Sequence, residues 1–236
     1  MIAAIGLASS DCERIGGGPL AQPVNACSSL AFLVAGAWVL MLASRSRARR
    51  VELAVYGIAV ASNAAGGFLF HGWQSAGARW VHDVAILSVL VFIAAFGAAR
   101  RLDRGTGWTM RAFGLALAVL GAVLAAVPSA TFAVYGLAGV VAGLGEALEV
   151  RRELPEIRRQ GVPAERRALL GALAAFALGT TAFFVGRTGG ALCDPASPMQ
   201  WHAVWHVAAA AAMALYAAGR IAPAPRPVGT SAPRRD

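Results

Sequence analysis

Seven stretches of about 20 mostly apolar residues dominate this chain, and that length and composition is what an α-helix needs to cross the hydrocarbon core of a bilayer. They run Val24 to Ala43, Val51 to His71, Val81 to Ala99, Met110 to Val127, Ala130 to Val150, Ala168 to Val185 and Trp201 to Ile221. Only Pro128 and Ser129 separate the fourth from the fifth, which predicts a tight helical hairpin there. Composition agrees: the 236 residues are 58% hydrophobic and 14% charged, and the mean hydropathy is +0.61. The expected fold is an all-α membrane protein, a single seven-helix transmembrane domain over residues 1–221 with a disordered tail over 222–236.

A net charge of +9 raises the question of nucleic acid, but the position of the charges answers it. All 21 basic residues are Arg. They cluster after helix one (Arg45, Arg47, Arg49, Arg50), after helix three (Arg100, Arg101, Arg104, Arg111), between helices five and six (Arg151, Arg152, Arg158, Arg159, Arg166, Arg167) and in the tail (Arg220, Arg226, Arg234, Arg235). Only Arg14, Arg79 and Arg187 fall in the alternate loops. The positive-inside rule therefore places the N-terminus outside and the C-terminus in the cytoplasm. Contact with anionic headgroups accounts for the basic excess, and no nucleic-acid partner is expected. The absence of Lys fits a GC-rich bacterial genome, so the expected location is a bacterial inner membrane.

The linker RRELPEIRRQGVPAERR, Arg151 to Arg167, carries prolines at 155 and 163 and predicts a solvated connection rather than one continuous helix. Small residues recur in the spans, as in GLAGVVAGLG, and allow close helix packing in lipid.

Ionisable residues within spans are expensive and usually functional. With the topology above, His71 ends helix two, His82 and Asp83 fall in the first turn of helix three, and His202 and His206 begin helix seven. All four histidines thus share one outer layer. His202 and His206, at i and i+4 in "WHAVWH", project from one face, a metal-ligand spacing. With His71 they offer three neutral nitrogens and an open fourth position, the pattern of a catalytic zinc site. The competing reading is histidines at the membrane interface, bonded to water or headgroups. His82 and Asp83 point about 100° apart on a helix, so only one of them can face the centre. Asp83 is either a general base for a metal-activated water or an ion-pair partner of Arg79 one turn earlier. Glu52, Glu146 and Glu149 lie at cytoplasmic helix ends and receive no chemistry.

Outside the bundle, Asp11, Glu13, Gln22 and Asn25 offer oxygens of the kind calcium prefers, without an EF-hand pattern. Cys12 and Cys193 fall on the same side, where an oxidising compartment permits a disulfide. Cys27, inside helix one, reads as a small packing residue.

The strings "CER...QPVNACSSLAFL", "GGFLFH" with "HDVAI", and "RTGGALCD...QWHAVWH" together resemble the alkaline ceramidase family and its bacterial relatives. These belong to a superfamily of seven-helix hydrolases that includes the adiponectin receptors. The resemblance spans nearly the whole chain. It implies zinc held by His71, His202 and His206, Asp83 near the metal water, and hydrolysis of an amide in a ceramide-like lipid drawn from the bilayer. It also implies a calcium site at Asp11, Glu13 and Asn25, and a bridge between Cys12 and Cys193. Two positions depart from the family pattern. Gly67 stands where a Ser is usual, removing a hydroxyl one turn from His71, and losing one oxyanion donor typically costs about 100-fold to 1,000-fold in rate. Gln22 stands where a Glu is usual. A metal-retaining receptor or structural protein is the second class, favoured by Gly67. A transporter, which needs ionisable groups at every depth, ranks last.

Overall fold

The apolar runs fold as helices throughout the computed structural model, which describes residues 7–160 and 163–223; no strand occurs among them. The tail expectation, apart from Ala222 and Pro223, lies outside the described residues. The helices are α1 (Pro23–Ser28), α2 (Leu30–Arg45), α3 (Arg50–Trp73), α4 (Ala76–Arg101), α5 (Thr106–Ala126), α6 (Thr131–Gln160), α7 (Ala164–Val185) and α8 (Trp201–Tyr216). With α1 and α2 taken as one span, seven helices are long and apolar enough to cross a membrane.

Local chemistry sets the ends. Pro23 opens α1, where its missing N–H costs nothing. The next two amides, Val24 N and Asn25 N, each donate to a Glu13 carboxylate oxygen at 2.8 Å. Thus Glu13 caps a helix that begins ten residues further along the chain. Ser75 caps α4, accepting from Ala78 N at 3.1 Å. That cap starts α4 five residues before the expected Val81, so His82 and Asp83 sit in its second turn rather than its first. A short 3₁₀ turn, Pro128–Ala130, makes the α5–α6 hairpin.

One expectation needs correction. The connection after helix five is largely helical, because α6 continues through Pro155 to Gln160. Glu149 and Glu153 on this extension pair with Arg100 of α4 at 3.3 and 3.6 Å. Arg220 beyond α8 and Arg166 of α7 also pair with Glu153. Those contacts hold the helix past a proline that would otherwise break it.

α3 lies between α2 and α4, α8 lies between α2 and α7, and α5 and α6 pack on the far side of α4. The centre of the bundle is a buried cluster around Tyr56, Phe92 and Phe96, with ring centroids 5.2 and 6.0 Å apart along that series. Absent side chains bring helices together. A Cβ at Gly36 would lie 2.7 Å from Ala61 Cβ on α3, and one at Gly66 would lie 2.8 Å from the backbone of His82 on α4. Outward faces are apolar: Val34, Leu115 and Phe132 are 72%, 70% and 78% exposed. Cys27 is on that exposed periphery instead of in the packing assigned to it.

Candidate metal centre

His71 comes from the last turns of α3, and His202 and His206 come from the first two turns of α8. Because α3 and α8 both flank α2, the three rings meet at the same end of the bundle. His71 lies 5.0 Å from His202 and 5.2 Å from His206, and the α8 pair are 4.6 Å apart, all between ring centroids. One potential ligand atom from each falls within 4.8 Å of the others. All three are buried, His71 completely. Phe70, Phe32 and Phe183 wall the imidazoles with apolar edges.

The donor set fits a metal ion. Three imidazoles with room between them suit a divalent transition metal, and His71 Nε2 is a buried nitrogen without any hydrogen-bond partner. A buried polar atom left unpaired is costly, and ligation would remove that cost. Two of the remote nitrogens, by contrast, are hydrogen-bonded and the third faces a carboxylate at ion-pair distance. His71 Nδ1 is 2.9 Å from Gln22 Oε1, His206 Nδ1 is 2.8 Å from Ser28 Oγ, and His202 Nδ1 is 3.7 Å from Asp11 Oδ1.

Of the adjacent pair on α4, His82 is the one turned toward the centre. Its ring stacks on Phe70 and stands 6.1 Å from that of His71. Asp83 Oδ1 accepts from His82 Nδ1 at 3.0 Å. Asp83 Oδ2 accepts from Thr131 Oγ1 at 3.0 Å and lies 3.6 Å from Arg79 Nε. The Arg79 pairing is therefore present, and the carboxylate reaches the trio only by way of His82.

In the acidic segment the oxygens have separate partners. Both Glu13 oxygens are engaged by the α1 amides. Asp11 faces two imidazoles, with Oδ2 3.8 Å from His71 Nδ1. Asn25 alone keeps its side-chain oxygen unpaired, in a fully buried position. The segment is tied to the loop before α8 by a Cys12–Cys193 disulfide with an S–S distance of 2.04 Å. Thr188 N donates to Ser10 O at 2.9 Å and Arg14 N to Pro195 O at 3.1 Å.

Gly67 leaves no vacancy. A Cβ there would run into the Ser29 hydroxyl and lie 2.8 Å from Ser29 Cβ. Ser29 is completely buried, and its Oγ stands 3.4 Å from His206 Nδ1.

Ser28 and Ser29 went unnoticed as site residues in the sequence. The available signal was the spacing Gln22, Asn25, Ser28 and Ser29, which places four polar side chains on one side of an otherwise apolar helix. The class shown by fold and site is a multi-pass helical membrane protein with a buried three-histidine cluster. A scan against protein-family models finds no match for the chain, and neither does a search of curated proteins.

Proposed function

We propose that the chain is a zinc-dependent hydrolase of lipid amides of the ceramide type. In this reading it lies in a bacterial inner membrane with the histidine centre toward the outside and the C-terminus in the cytoplasm. The observation that carries it is the convergence of His71, His202 and His206 in a buried, apolar-walled site with one ring nitrogen unpartnered. Orientation is supported by the Arg-rich loops at the opposite end and by the disulfide, which calls for an oxidising compartment.

Zinc held by the three imidazoles would supply Lewis-acid polarisation of a carbonyl and a more acidic water. The chain's own residues do the rest. Asp83, fixed by Thr131 and Arg79, holds His82 through Nδ1, so this pair accepts the proton of the attacking water and returns it to the leaving amine. The Phe walls exclude bulk solvent. In this reading the lipid amide enters sideways from the bilayer, between helices.

The test combines metal analysis of purified protein with fatty-acid release from a panel of ceramides and other N-acyl lipids, with and without calcium. Stoichiometric zinc and release that both disappear in His206→Ala are expected. Absence of zinc, or full metal content and activity in His206→Ala, sinks the reading. Zinc without release from any lipid favours the receptor class. Release that rises with calcium would assign the open Asn25 oxygen to a cation.

A further inference from the structure

The three imidazoles have one thing in common beyond proximity: every remote nitrogen faces a polar side chain of the same N-terminal segment. An imidazole nitrogen can donate or accept, and its neighbour decides which. At His71 the neighbour is the Gln22 amide. Both hydrogens of its NH2 group are committed, donating to Ala8 O at 3.0 Å and Glu13 O at 2.9 Å, so Oε1 is what faces His71. Nδ1 must therefore carry the proton and Nε2 the lone pair.

At His206 the neighbour is Ser28, whose hydroxyl donates to Asn25 O at 3.0 Å. Ser29 donates to the same carbonyl at 3.0 Å. When the Ser28 proton goes to Asn25 O, the Ser28 oxygen accepts from His206 Nδ1–H. At His202 the facing group is the Asp11 carboxylate, whose Oδ1 is 3.7 Å from Nδ1, beyond hydrogen-bond reach, and whose charge favours a proton on the nitrogen turned toward it. Gln22 fixes this assignment at His71, and Ser28 and Asp11 favour the same one at His206 and His202, which leaves each Nε2 to bind a cation.

We infer that Asp11, Gln22 and Ser28 are the positioning residues of the metal centre, each fixing one histidine with Nε2 turned to the ion. The inference rests on the reading of the centre as a metal site and assigns that site's outer shell. Outer-shell partners of ligating histidines set ring orientation and basicity, and their loss typically weakens metal binding by about 10-fold to 100-fold. A segment that only packs against the bundle would not do this.

The experiment measures zinc affinity by chelator competition in detergent-purified full-length protein, along with the visible spectrum of the cobalt-loaded form. Ser28→Ala and Asp11→Ala are expected to bind zinc about 10-fold to 100-fold more weakly. Their cobalt bands should shift, and the thermal midpoint of the metal-free protein should stay at the wild-type value. Ser28→Thr, which keeps the hydroxyl, should recover wild-type affinity. Wild-type affinity and an unchanged cobalt spectrum in either alanine variant overturn the inference, and if one of them fails to fold the other decides. A wild-type protein that binds neither metal overturns the reading of the centre instead, a result distinguishable from the first.

Discussion

At Gly67 the side chain is missing because another residue already fills its place. Ser29 projects from the junction of α1 and α2 into the space a residue-67 Cβ would take, and it brings a hydroxyl to within 3.4 Å of His206 Nδ1. Read along the chain, Gly67 is a lost hydroxyl; in three dimensions a hydroxyl from another helix stands there. Gly67→Ser should overpack the contact and destabilise the protein by about 1–3 kcal/mol. Adding Ser29→Gly to the same chain should recover most of that loss, as measured by thermal unfolding in detergent. Equal stability of Gly67→Ser and wild type would show that the two positions do not compete. This pairing could not be read from sequence, since nothing in the spacing ties residue 29 to residue 67. The histidine trio could, because i and i+4 on α8 and shared depth on α3 are properties of helical period and topology.

At the scale of helices, the apolar runs marked all seven spans, because length and hydropathy are local properties. The ends were harder to read. The Ser75 cap lengthens α4, Glu13 caps α1 from a distance, and α6 outlasts Pro155 because its acidic residues have partners on other helices. The last two depend on contacts between elements, whereas the Ser75 cap is local to its own helix. Glu146 shows the same dependence. Read as interfacial, it instead accepts from the Tyr216 hydroxyl at 2.8 Å and from Arg220 Nε at 2.7 Å, with the Arg220 side chain 3% exposed. Removing one partner of a buried pair strands the other charge, so Arg220→Ala should cost about 3–5 kcal/mol. Because Glu146 is partly exposed, the lower end of that range is expected. Denaturant unfolding in mixed micelles reads this directly, and a loss below about 1 kcal/mol would mean the pair is solvated.

Across the whole molecule, the two ends of the bundle have different electrostatic tasks. One gathers histidines and a few carboxylates in apolar surroundings; the other carries most of the arginine among the described residues, partly neutralised by Glu146, Glu149 and Glu153. The disulfide belongs to the first end and joins residues 181 positions apart. Six of the seven spans lie between its two cysteines, so the main body of the protein is a covalent ring. A protease site inserted in the exposed turn at Asp103 and then cut would yield two polypeptides, one carrying His71 and the other His202 and His206. Under non-reducing electrophoresis they should still migrate as one species and separate only with a thiol. Separation without thiol would show that the bridge is not closed. On the proposed reading the nicked, oxidised protein should also retain bound metal, since neither half can diffuse away. The chain can thus be handled as a split protein whose three-histidine cluster is shared between two tethered fragments.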